Sequence, residues 1–182
     1  MSKKIAVFFP GRRYSVDCPL LYFADFVCSM KGYDRAFLHY ARHREEKNNT
    51  TIPEDIENAK DYVMATIQAK ELENYDDIVF VSKSVGTVMA GYAREELKIK
   101  NVRNIYLTPL PQTLPYIENT GSIVIAGTED RFLDKGTLKD FCDNKGVKLY
   151  QFEGLGHSME TDNVRGSLDI IGKVQDIIEG FV

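Results

Sequence analysis

No stretch of this 182-residue chain is a long apolar span. Met1-Ser2-Lys3-Lys4 leads into only Ile5-Ala6-Val7-Phe8-Phe9 before Pro10. That run is too short for the core of a signal peptide and reads as a first strand. Without secretion, the glycosylation-like triplets in Asn48-Asn49-Thr50-Thr51 carry no meaning. Cysteine is scarce. Cys18, Cys28 and Cys142 make an odd set with no metal-ligand spacing. Reduced thiols in a cytoplasmic protein are the expectation, with no metal site and no organic cofactor. A basic excess is also missing. Lys plus Arg number 23 against 27 Asp plus Glu, a net charge of -4, which argues against a dedicated nucleic-acid binder. The glycine-rich dinucleotide pattern and the Walker pattern are both absent. So are internal repeats, low-complexity segments and an interdomain linker, which predicts a single domain over residues 1–182.

What is present is a set of short apolar runs rich in β-branched and aromatic residues. They are Ile5 to Phe9, Ala36 to Tyr40, Ile78 to Val81, Val102 to Leu107, Ile123 to Ala126 and Val147 to Phe152. They lack strict polar alternation, as strands covered on both faces do. Helical patterns lie between most of them. Thr51 and Glu54 have the spacing of a capping box, with Pro53 in the first turn, ahead of Ile56, Ala59, Val63 and Ile67 on one face. A last helix carries Val164, Leu168, Ile171, Val174 and Ile178 at helical spacing. The polar stretch from Arg42 to Thr51 reads as a surface loop. Strands alternating with helices predict a parallel sheet with helices on both faces, an α/β three-layer αβα sandwich.

In such sheets the binding crevice opens at the C-terminal ends of the strands. The third strand runs into Val79-Phe80-Val81-Ser82-Lys83-Ser84-Val85-Gly86-Thr87, and a helical pattern follows. A strand, a very tight turn and a helix would hold Ser84 above the sheet. Small residues are needed two before and two after it, and Ser82 and Gly86 supply them. Gly127-Thr128-Glu129-Asp130 follows the fifth strand, and Gly154-Leu155-Gly156-His157-Ser158 the sixth. A hydroxyl, a carboxylate and a histidine thus fall on one edge. That is the set required by nucleophilic acyl transfer, in which a base takes the hydroxyl proton and an acid orients the base.

These residues resemble the α/β-hydrolase family. Ser82-Lys83-Ser84-Val85-Gly86 is similar to its nucleophile elbow, with Ser in place of the commoner first Gly. Ser84, Asp130 and His157 follow its chain order of nucleophile, acid and histidine. Pro10-Gly11-Arg12 stands where many members carry a His-Gly oxyanion loop. The resemblance covers nearly the whole chain and extends to small lidless bacterial members. It implies a minimal form of the fold, lacking the first two antiparallel strands, with six parallel strands in the order 2-1-3-4-5-6. It also implies a serine hydrolase acting on a small ester or thioester through an acyl-enzyme.

Each candidate has a plainer alternative. Ser84 is also a good helix N-cap. Glu129 and Asp134 compete with Asp130, which matches the family's Gly-x-x-Asp spacing; either rival could be a helix-start charge. His39 and His43 read as structural or solvated. The oxyanion donors would be the N–H groups of Val85 and of Arg12, or else Gly11. Arg12, Arg13 and Lys83, beside Gly11, either recognise an anionic substrate group or are ordinary solvated charge. Tyr14, Tyr22 and Phe23 line a pocket or pack in the core. The segment from Thr108 to Gly121 holds three prolines and is too short for a lid, with at most one helical turn. An open, shallow site for a small-molecule substrate is the expectation. The competing function is a non-catalytic protein that cradles a phosphate or other ligand in the 82–87 turn, beside Lys83.

Overall fold

The structure is a computed structural model and describes residues 2–40, 50–119 and 121–182. His43 and most of the expected loop from Arg42 to Thr51 lie outside the described residues. Six strands form one sheet: β1 Lys4–Phe9, β2 Asp34–Phe37, β3 Asp77–Lys83, β4 Val102–Leu107, β5 Ser122–Gly127 and β6 Lys148–Phe152. All five pairings are parallel and the order is β2-β1-β3-β4-β5-β6, as the family resemblance implied.

Successive strand residues point to opposite faces, so each strand feeds two cores. Val7, Phe9, Ile78 and Phe80 pack against α2 (Ile52–Gln68) and α3 (Val85–Glu96). Ala6, Phe8, Val79 and Val81 pack against α1 (Pro19–Met30) and α5 (Val164–Phe181). Tyr106, Val124 and Ala126 meet α4 (Lys135–Lys145). Because the central strands are buried on both faces, their sequences read as unbroken apolar runs. The capping box of α2 forms: Glu54 N–H donates to the Thr51 hydroxyl, and Thr51 N–H donates to the Glu54 carboxylate. Ala59, Val63 and Ile67 are buried on its inner face.

Three expectations shift. The second strand is Asp34–Phe37 rather than Ala36 to Tyr40. It is an edge strand, and its register against β1 begins at Ile5 opposite Asp34. Leu38 is fully buried and Tyr40 packs into the same core beyond the strand end, so core-filling residues extended the apparent run. In α5, Val174 and Ile178 are buried, while Val164 and Leu168 continue the stripe but stay exposed. Between β4 and β5, Pro111–Tyr116 makes a 3₁₀ segment of six residues, two turns rather than one.

Candidate active site

β3 ends at Lys83 and α3 begins at Val85, so Ser84 makes the whole turn alone. Its backbone is forced to φ 55° and ψ -119°, outside the regions open to an L-residue at low cost. Two close approaches make the turn possible. A Cβ on Gly86 would lie 2.2 Å from the Phe9 carbonyl oxygen and 2.6 Å from that of Pro10, so only glycine lets α3 start against the end of β1. Ser82 is fully buried, and its hydroxyl donates to the Ile105 carbonyl. The Thr87 hydroxyl donates to the Ser84 carbonyl at 2.6 Å and also pairs with the Thr113 hydroxyl, which pins the strained peptide from behind. Ser84 holds the N-cap position of α3, yet its hydroxyl makes no capping bond.

That hydroxyl instead lies 2.7 Å from His157 Nε2. His157 Nδ1 lies 2.7 Å from Asp130 Oδ2. An ionised carboxylate only accepts, so Nδ1 carries the proton and Nε2 is left to accept from Ser84. The second oxygen of Asp130 accepts from Phe132 N–H, and the Phe132 ring sits edge-on to the imidazole at 4.6 Å. A glycine again permits the approach, since a Cβ on Gly127 would lie 2.0 Å from the Leu155 carbonyl oxygen. Burial pushes the Asp130 carboxyl up, but bonds from His157 and Phe132 and the nearby positive charge outweigh it and hold it below the usual range. Burial holds the His157 imidazole below its ordinary value; Asp130 opposes this, and the Lys83 and Arg131 charges add to it. The rival carboxylates are engaged elsewhere. Asp134 is the N-cap of α4 and accepts from Gly136 and Thr137 N–H. Glu129 is exposed, 3.8 Å from Lys135.

The segment after β1 closes the other side. Gly11 N–H donates to the Tyr14 carbonyl, so Gly11 has no donor to spare. Among the described residues, no acceptor faces the N–H of Arg12 or of Val85. The Arg12 side chain turns away, with its guanidinium on the Asp55 carboxylate and the Thr50 carbonyl, which ties this segment to the start of α2. A cleft of about 790 Å³ lies over Ser84 and His157, with Arg13, Tyr14, Arg131 and Glu160 on its walls. Tyr22 and Phe23 are neither in the cleft nor in the core; they stand exposed on α1. His39 is exposed as well, outside the site.

Lys83 is where sequence reasoning went astray. It is not a solvated cation, although it borders the cleft over Ser84. Its side chain is 1% exposed, and its ammonium donates to the Thr108 hydroxyl and to the His157 main-chain carbonyl. A signal did exist. Lys83 continues the Val79–Val81 row of a central strand, where both faces are covered. Thr108, Thr87, Thr113 and Phe132 were also missed, because hydroxyls and rings that meet only across loops leave no pattern in the chain.

All three cysteines are free thiols. Among the described residues no three His, Cys, Asp or Glu side chains converge as a metal site, and no helix is long and apolar enough to cross a membrane. No family model matches the sequence and no curated protein does. Solved structures do match in fold. Est1E from Butyrivibrio proteoclasticus, solved with ferulic acid bound, superposes with a TM-score of 0.68 at 12% identity, over 99% of this chain and 88% of that one. An esterase from Pyrococcus furiosus gives 0.67 at 16% identity, over 99% and 82%. An alpha-beta serine hydrolase homologue from Coxiella burnetii gives 0.66 at 13% identity, over 99% and 85%. At such identities the likeness establishes the α/β-hydrolase fold.

Proposed function

We propose that this α/β-hydrolase-fold chain is a serine hydrolase that cleaves a small ester or thioester through an acyl-enzyme. One observation carries the reading: the unbroken chain from Ser84 Oγ to His157 Nε2 and from His157 Nδ1 to Asp130, at 2.7 Å in each step, on a strained turn. Ser84 Oγ attacks the acyl carbon while Nε2 takes its proton. Asp130 stabilises the imidazolium and keeps the ring in the productive tautomer. The carbonyl oxygen, now negative, accepts from the N–H groups of Val85 and Arg12, which have no other partner among the described residues. The tetrahedral species collapses, and Nε2 returns the proton to the departing alkoxide or thiolate. Water then attacks the acyl-enzyme with His157 again as base, releasing the acid and restoring Ser84.

The rival reading, a phosphate cradle in the 82–87 turn, depended on Lys83 facing the ligand. That ammonium is buried and spoken for, and no other observation favours the cradle. The test is intact-mass analysis after treatment with a fluorophosphonate. Wild-type protein gains one adduct; Ser84→Ala, folded by circular dichroism, gains none. An adduct retained by Ser84→Ala, or none on the wild type, overturns the proposal.

A further inference from the structure

Lys83 is a buried ammonium one residue before the nucleophile, and the acyl-transfer steps above do not use it. Its ammonium donates to the Thr108 hydroxyl at 2.5 Å and to the His157 carbonyl at 2.8 Å, and lies over the Tyr14 ring, 5.2 Å from the centroid. The ammonium therefore joins the segments after β1, β4 and β6, three strands that are not neighbours in the sheet. Thr108 adds an independent sign. It is fully buried with φ 44°, a left-handed conformation that is a genuine outlier for a β-branched residue. The fold keeps a threonine in that strained position, with its hydroxyl on the Lys83 ammonium.

We infer that Lys83 is a positioning residue for His157: its ammonium, seated on the Thr108 hydroxyl, holds the His157 peptide so that Nε2 stays on the Ser84 hydroxyl. This rests on the proposed hydrolase reading. The histidine stands on a segment with no strand or helix of its own between β6 and α5, so its ring is only as well placed as its main chain. A misplacement of about 1 Å costs about 10²-fold in rate. The same ammonium also acts on the histidine electrostatically. The groups facing it are Tyr14 and Cys18 after β1, Asp130 after β5, and His157 and Glu160 after β6. Burial pushes Lys83 down to about 7, with Asp130 and Glu160 opposing. Below that pH it is cationic and works against an imidazolium beside it, lowering the pH at which His157 becomes a usable base.

Lys83→Met removes the cation and the tether together. With p-nitrophenyl acetate, kcat falls about 10- to 100-fold and KM stays within experimental error. The acid limb of the pH–rate profile moves to higher pH, because His157 is easier to protonate. Lys83→Arg restores the charge, returns the acid limb and recovers part of kcat. The imidazole of His157 is also titrated by NMR in wild type and Lys83→Met, a readout that needs no turnover. A raised titration midpoint in the variant sustains the Lys83 inference even for a chain that neither hydrolyses the ester nor takes a fluorophosphonate, in which case the hydrolase reading alone fails. An unchanged midpoint together with wild-type kcat overturns the inference. So does a rise in KM alone, which would make Lys83 a substrate-binding group. Should Lys83→Met not fold, Thr108→Val keeps the lysine and removes its seat: kcat falls several-fold, while Thr108→Ser, which keeps the hydroxyl, stays at wild type. Equal rates for Thr108→Val and wild type overturn it.

Discussion

Asp130 and Asp134 lie four residues apart and do unrelated things. Asp130 is 7% exposed and accepts from His157 Nδ1 and from Phe132 N–H. Asp134 is exposed and caps a helix. Asp130→Asn keeps the shape but offers an amide N–H where the imidazole needs an acceptor, favouring the wrong tautomer. Turnover of a small activated ester is expected to fall by up to about 10⁴-fold. Asp134→Asn leaves turnover at the wild-type level, and the cap survives because asparagine caps as well as aspartate. Steady-state rates of the two purified variants check this; a reversed order would make Asp134 the acid. At this scale the meeting of Ser84, Asp130 and His157 was legible in the sequence, because each follows a strand and the Gly-x-x-Asp spacing of the resemblance set Asp130 ahead of Glu129 and Asp134. The sequence put Arg12 ahead of Gly11 as an oxyanion donor, and the structure has Gly11 N–H on the Tyr14 carbonyl.

The element that matters most is the β3–α3 turn, and its geometry depends on what the end of β1 leaves free. Gly86 sits under the Phe9 and Pro10 carbonyls with no room for a methyl group. Gly86→Ala must push α3 off the sheet, at a cost of about 3 kcal/mol, and must move Val85 N–H and Ser84 with it. Gly172 is the contrast. It lies exposed within α5, and a Cβ there would meet nothing within 4 Å. Gly172→Ala therefore stabilises the protein by roughly 0.5–1 kcal/mol, because alanine loses less backbone entropy in a helix. Thermal denaturation of both variants, with fluorophosphonate labelling as the check on the turn, gives the answer. A Gly86→Ala protein as stable and as reactive as wild type would refute the close-approach argument. The elements themselves were largely legible: β4 has the expected ends, and α2 begins at its capping box. Edge strand β2 was not, because one-sided pairing leaves its limits to the register with β1.

Across the whole molecule, the two edges of the sheet differ in kind. At the N-terminal edge Arg103 spans both Asp77 oxygens at 2.9 Å and reaches the Tyr33 hydroxyl and the Phe181 carbonyl, joining β3, β4, α1's following turn and α5 in one polar clamp. At the C-terminal edge lies the cleft over Ser84. Among the described residues no separate lid covers it, and the chain between β4 and β5 is a short 3₁₀ segment whose Tyr116 ring lies against Gly91 of α3. A long acyl chain finds little apolar cover there, and each buried methylene would contribute about 0.8 kcal/mol. Acetyl and butyryl p-nitrophenyl esters are thus expected to be turned over at least as well as the palmitoyl ester, measured as kcat/KM; a strong preference for the long chain would contradict the open site. The sequence by itself determined the alternation of strands and helices, the two-sided cores and the edge at which Ser84, Asp130 and His157 fall, because apolar runs without polar alternation need cover on both faces and parallel strands need crossovers; the strand order came from the family resemblance. Only the tertiary structure decided what the cations do. Arg12 is drawn to Asp55, and Lys83 is buried against Thr108 and the His157 carbonyl. The position of a side chain along the chain does not say which loops close over it, and burial turns a cation from a free surface charge into one that must be fully paired.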